Sequence, residues 1–260
     1  MIVDIDAGNT RSKWQAHSDG AVIASGAVAS AGQQLIAAIE AAGVQSPTRV
    51  RIASVRDNET LAELQASIKT QWHISAELAT TTARACGIIN SYAQPHTMGV
   101  DRWLAVLAAA RLVGMIDPAQ PDTVLKSAPA FCVIDAGSAI TLDFVAADGV
   151  HRGGYIAPGY QLQLQALLSG TGRIDVDTQQ SSQQLAPANN TADAVLAGVL
   201  LSLCGLITSG LNRFADSADT VAAPTVLITG GDALRLQPHL DFASRYEPDL
   251  VLQGLSLLLP

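Results

Sequence analysis

Two short runs of the chain carry the same set of chemical groups. Asp6-Ala7-Gly8-Asn9-Thr10 follows the apolar stretch MIVDI, and Asp135-Ala136-Gly137-Ser138-Ala139 follows FCVI about half the chain later. In each, an apolar run delivers a carboxylate to its end. A glycine then lets the backbone turn tightly and approach a ligand. A hydroxyl or amide donor comes next, and in the first run Lys13 adds a cation. These residue types suit a polyphosphate. Asn9, Thr10 and Ser138 can donate to phosphate oxygens, and the carboxylates of Asp6 and Asp135 can hold a hydrated cation that neutralises phosphate charge. One such motif by itself reads as a turn; its repetition favours two hairpins gripping one anion.

Two further segments carry chemistry. Gly230-Gly231-Asp232 follows the apolar run TVLIT and reads as a strand-to-helix turn whose glycines can lie against a flat ligand. Gly99-Val100-Asp101-Arg102 precedes an apolar helical pattern. Asp101 reads either as a helix cap or as a general base that accepts a hydroxyl proton during phosphoryl transfer. Arg102 can pair with an anionic group on substrate or transition state. His17, His73, His96, His151 and His239 show no metal-ligand spacing. Cys86, Cys132 and Cys204 form no C-x-x-C pair and read as small core thiols of a reducing compartment.

The elements that must position these groups repeat as well. After each Asp-Ala-Gly comes a second strand, an Asp-Gly pair and a third strand. Asp19-Gly20 and Asp148-Gly149 lie 13 positions beyond Asp6 and Asp135 respectively. Asp-Gly between strand-like runs is a strong hairpin signal. Apolar spacings of three and four then predict helices over 32–42, 59–72, 102–113, 160–168, 191–214 and 250–259. Strands are expected over 48–55 and 225–229, with a short one after Ile74. The pattern predicts an α/β fold of two duplicated ribonuclease-H-like domains facing a cleft. The polar stretch DPAQP at 117–121 is expected to be the loop between them, giving domains 1–120 and 121–260.

Composition narrows the partners. A net charge of −8 with only 15 Lys and Arg, in no run, argues against a general nucleic-acid surface. It leaves anionic small molecules open, since backbone N–H groups bind phosphate without net positive charge. No basic stretch followed by an apolar core opens the chain, so no signal peptide is expected. The apolar segment at 194–207 is shorter than the ~20 residues a bilayer span needs. It reads as a buried helix and a candidate subunit contact.

With DAGNT at 6–10, Tyr92, GVDR at 99–102, DAGSA at 135–139, GGYIAPG at 153–159 and NNTADA at 189–194, the chain resembles the type III pantothenate kinases. These belong to the acetate and sugar kinase, heat-shock chaperone and actin superfamily. The resemblance implies ATP-dependent phosphorylation of pantothenate, the first step towards coenzyme A, by a cytoplasmic homodimer. It assigns Asp6, Ala7, Gly8, Asn9, Thr10, Arg11, Ser12 and Lys13 to the first phosphate loop and Ser138 to ATP contact. Asp101 becomes the proton acceptor. Tyr92, Gly99, Val100, Asp101, Arg102 and Thr191 become the pantothenate pocket, although Thr191 also reads as a helix cap. Asp135 becomes the site of a monovalent cation, potassium or ammonium, beside a divalent cation such as Mg²⁺ carried with ATP. Two departures stand out: Ser138 replaces a usual threonine, and SGTGRIDVD at 169–177 lacks a Leu-Pro common there. The remaining alternatives are a kinase for another small molecule and a nucleotide-dependent regulatory protein.

Overall fold

Strand β1 (Ile2–Ala7) turns Val3, Ile5 and Ala7 to one face, where all are fully buried, and Asp4 and Asp6 to the other. It pairs antiparallel with β2 (Ser12–Ser18), which pairs antiparallel with β3 (Ala21–Val28). Asp19 and Gly20 join β2 to β3 with φ of 50° and 79°. Two successive positive φ values are what a two-residue hairpin turn demands. Helix α1 (Gln33–Ala41) leads to β4 (Arg49–Ser54), which lies parallel to β1. Helix α2 (Asn58–Trp72) follows, its N-terminus capped by Asp57, which accepts from the Thr60 N–H. Strand β5 (Glu77–Leu78) then closes a five-stranded sheet of order β3-β2-β1-β4-β5. Leu35, Ile36 and Ile39 of α1 and Leu64, Ile68 and Trp72 of α2 bury against Val3, Ile5, Trp14 and Ile52.

This computed structural model describes residues 1–29, 32–117, 119–125, 127–170, 184–217 and 223–260. A small hairpin of β6 (Arg84–Ala85) and β7 (Ile88–Ile89) precedes α3 (Val100–Leu112). Trp103, Leu104 and Leu107 of α3 are fully buried. Next, β8 (Ile116–Asp117) and β9 (Gln120–Val124) form a two-stranded sheet. The stretch expected to be a loop therefore contributes strand residues, Asp117 and Gln120 among them; Pro118 lies outside the described residues. Proline forbids helix here but is compatible with a short edge strand.

The second half repeats the plan. Strands β10 (Phe131–Ala136), β11 (Ala139–Val145) and β12 (His151–Pro158) form the meander. Helices α4 (Tyr160–Gly170) and α5 (Thr191–Ser217) precede β13 (Thr225–Thr229), α6 (Ala233–Leu236) and β14 (Arg245–Tyr246). The sheet order β12-β11-β10-β13-β14 reproduces the first sheet position for position. Each meander also has a register shift, at Ala16/His17 and at Asp143/Val145. The fold is α/β, with two mixed sheets of one topology.

Helix α5 is longer than the apolar segment in its middle. Leu196, Val199, Leu200, Leu203, Cys204, Ile207, Leu211 and Phe214 recur at helical spacing and join the core around β10, β11 and β13. By length and composition α5 would also suffice to cross a membrane, with 44% of its window buried. Of SGTGRIDVD, residues 171–177 lie outside the described residues.

The chain divides into Met1–Leu112, Ile116–Thr123 and Asp249–Pro260 on one side and Val113–Met115 and Val124–Pro248 on the other. The division expected at 120/121 thus misses the return of the last helix, α7 (Leu250–Leu258), to the first unit. The cause is packing on α3. A Cβ at Gly254 would stand 2.2 Å from the Leu104 carbonyl oxygen, so only glycine allows this approach. Arg51 on β4 then holds the end of the chain by donating from Nη1 to the Leu259 carbonyl at 2.7 Å.

Candidate active site

The first motif lies where the sheet ends. Asp6 stands opposite Lys13 in the β1–β2 register, and residues 8–11 form the turn between them. Asn9, Thr10 and Arg11 are exposed, while Ser12 is fully buried. Donors are therefore presented outward from a rigid strand pair. The Lys13 ammonium lies 4.0 Å from Asp249 Oδ1, and Gln15 Nε2 donates to Asp249 Oδ2 at 3.0 Å. The residue just before α7 thus restrains the cation of the first motif. Arg56, which carries no motif signal, donates from Nη2 to Ser12 Oγ at 3.4 Å.

In the same unit, α3 delivers Asp101 and Arg102. Asp101 sits within the first turn of α3, and its Oδ1 accepts from the Arg102 N–H at 2.8 Å. The carboxylate thereby uses one of the amides that a helix start leaves unpaired, next to the positive end of the helix dipole. The Arg102 side chain is buried, 7% exposed. Its Nη1 donates to the Tyr92 hydroxyl at 3.0 Å, and its guanidinium carbon lies 5.9 Å from the Tyr92 ring centre. Asn90, which the sequence reading missed, holds this loop. Its Oδ1 accepts from the Tyr92 N–H at 2.9 Å, and it is itself buried. A buried amide two residues before Tyr92 reads from sequence as an ordinary loop residue.

The second motif is tighter. Only Gly137 and Ser138 separate β10 from β11, against four residues in the first turn. Two glycines elsewhere in the unit permit the backbone to close around it. A Cβ at Gly159 would stand 2.1 Å from the Gly137 carbonyl oxygen. One at Gly230, whose φ is 93°, would stand 2.5 Å from Asp135 Oδ1 and from the Ala136 carbonyl. The Gly159 N–H donates to the Ser138 carbonyl at 2.9 Å, and the Asp232 N–H donates to the Ala136 carbonyl at 2.9 Å. Gly159 and the Gly230-Gly231-Asp232 turn therefore meet the second Asp-Ala-Gly. Ser138 remains exposed beside them.

Asp232 ion-pairs with Arg235, whose guanidinium stacks over the Tyr160 ring at 4.2 Å. Burial raises the Asp232 carboxyl above its usual range and Arg235 opposes the shift. Burial also raises the thiols of Cys86, Cys132 and Cys204, all free, away from thiolate chemistry. Thr191 begins α5 and is exposed. The cap reading passes from it to Asn190, whose Oδ1 accepts from the Asp193 N–H at 2.9 Å. Among the described residues no group of three or more His, Cys, Asp or Glu is placed to hold a metal ion.

A family model for type III pantothenate kinases matches residues 2–213. The chain belongs to the type III pantothenate kinase family. The enzyme of that name from Pseudomonas aeruginosa (strain LESB58) is 33% identical over 264 residues, covering 100% of this chain and 99% of the relative. Solved structures share the fold at lower identity. A Baf family protein of Campylobacter jejuni is 20% identical with a TM-score of 0.60, covering 99% of this chain and 96% of its own. MreB 5 of Spiroplasma citri, solved with AMPPNP bound, is 10% identical with a TM-score of 0.51, covering 99% and 95%. As a type III pantothenate kinase family member, the chain has its matched region run from β1 into α5, across both sheets.

Proposed function

We propose that this chain transfers the terminal phosphoryl group of ATP to the primary hydroxyl of pantothenate, giving 4′-phosphopantothenate, the first step towards coenzyme A. The observation that carries the reading is the start of α3. There a carboxylate and a buried guanidinium are fixed side by side, with Tyr92 hydrogen-bonded to the guanidinium. In the proposed reaction the pantothenate hydroxyl oxygen attacks the terminal phosphorus and the bond to the ADP oxygen breaks. Asp101 takes the hydroxyl proton. Arg102, Tyr92, Gly99, Val100 and Thr191 orient pantothenate, with Arg102 matched to its carboxylate.

Asp6 to Lys13 and Ser138 bind ATP in this scheme. Mg²⁺ is held through one or two carboxylates and the phosphates of its nucleotide. Asp6 and Asp135, each near the end of a central strand beside an outward turn, fit that demand. Mg²⁺ would neutralise charge developing on the phosphates. Asp135 is also the proposed seat of potassium or ammonium.

An ADP-release assay with ATP, Mg²⁺ and pantothenate, run with and without potassium, tests the reading. Turnover is expected to require pantothenate and to rise with potassium. Folded protein that binds ATP but releases no ADP would point to another substrate or to a regulatory role.

The working form is proposed to be a cytoplasmic homodimer. Leu162 of α4 and Leu201 of α5 are 45% and 55% exposed, beside a hydrogen bond from Ser202 to Gln163 that ties the two helices. Exposed leucines on adjoining helices suit burial against a second copy. Light scattering is expected to give twice the chain mass of 26.9 kDa; a monomer mass at micromolar protein would refute the dimer.

A further inference from the structure

Arg56 stands two residues beyond the end of β4. In the first sheet, β4 lies on one side of β1 and β2 on the other. Ala7 at the end of β1 is level with Ser54 on β4 and Ser12 on β2. The Val55 N–H donates to the Ala7 carbonyl at 3.4 Å, and the Arg56 N–H donates to Ser54 Oγ at 3.2 Å. The backbone at 55–56 is therefore held beside the end of β1. From there the side chain crosses to β2, where Nη2 meets Ser12 Oγ at 3.4 Å. Adjacent strands are about 4.8 Å apart, so this guanidinium spans two strand intervals. It bridges the two strands that flank β1, at the root of the 8–11 turn.

Two features of Arg56 ask for an anion. Its Nε is shielded from solvent and has no acceptor, a state that costs free energy until a partner arrives. Among the described residues it forms no ion pair with a carboxylate, unlike Arg49, Arg51, Arg152, Arg235 and Arg245. A guanidinium offers its donors in a planar fork matched to phosphate. We propose that Arg56 is a phosphate-contacting residue of the nucleotide site, acting from β4 beside the motif on β1 and β2. The inference rests on the reading that this turn binds the phosphates of ATP.

Titration calorimetry with ATP, ADP and adenosine, each with Mg²⁺, on the full chain and on Arg56→Gln and Arg56→Lys tests it. Arg56→Gln is expected to weaken ATP and ADP by about tenfold or more, the worth of one charge-assisted hydrogen bond. Adenosine affinity should stay unchanged, and Arg56→Lys should recover part of the loss. A fault that is merely structural would weaken all three ligands alike. Equal loss for all three, or no loss, overturns the proposal while wild-type ATP binding leaves the kinase reading standing. Wild-type protein that binds no ATP overturns both. Should Arg56→Gln fail to fold, Arg56→Lys decides by the same comparison of nucleotide with adenosine.

Discussion

Asp101→Asn is expected to lower turnover by ~10²-fold or more, the usual contribution of a positioned general base. Binding of ATP and pantothenate should persist. The asparagine carbonyl can still accept from the Arg102 N–H that Asp101 Oδ1 now holds at 2.8 Å. The start of α3 therefore keeps its geometry, and Arg102 keeps its bond to Tyr92. What is lost is a basic oxygen, since an amide does not take up a proton near neutrality. Turnover in the ADP-release assay, read beside calorimetric binding of both substrates, separates the two effects. Unchanged turnover would remove Asp101 from the base role; lost pantothenate binding would make it a binding group instead.

Arg51→Met is expected to destabilise the first unit strongly. Asp4 is fully buried on β1 and Arg51 is 4% exposed on β4. Two parallel hydrogen bonds join them, at 2.6 and 2.8 Å. Arg51 also donates to the Leu259 carbonyl, so one side chain serves the sheet and the end of α7 together. Removing one partner of a buried pair leaves an uncompensated charge and costs about 3–5 kcal/mol. His17 Nε2 lies 3.1 Å from Asp4 Oδ2 but is not aligned for a hydrogen bond, so it cannot replace the guanidinium. Urea unfolding is the measurement, with Asp4→Leu/Arg51→Met as the companion. The double variant should regain much of the loss, because no orphan charge remains. A single variant that unfolds at the wild-type urea concentration would show that the pair adds nothing.

Much of the fold is legible in the chain. Apolar runs that end on a carboxylate and a glycine turn mark β1 and β10. Asp19-Gly20 marks a tight turn through its positive φ, and spacings of three and four mark α1, α2 and α5. These are local signals, set by the period of each element. Repetition supplied the rest of the architecture, since two copies of one strand pattern imply two sheets of one order. The phosphate-binding role proposed for the two Asp-Ala-Gly runs is local too, because carboxylate, glycine and hydroxyl follow one another within five residues.

Other features depend on strand order and on the reach of side chains across it. Asn90 looks like a loop residue until its carbonyl is found on the Tyr92 amide. Gly254 looks like a weak point in a helix until α7 is laid against α3 with no room for a Cβ. Arg56 follows its strand like any turn residue, and only the order β2-β1-β4 brings its guanidinium to Ser12, 44 positions away. The return of residues 249–260 to the first unit has the same origin. By itself, then, the sequence determined the two sheets and their turns, and it motivates the ligand proposed for them, through periods and motifs a few residues long. Which distant side chains restrain those motifs was decided by parallel pairing and helix packing. These join residues with no local relation, so no window of sequence contains both partners.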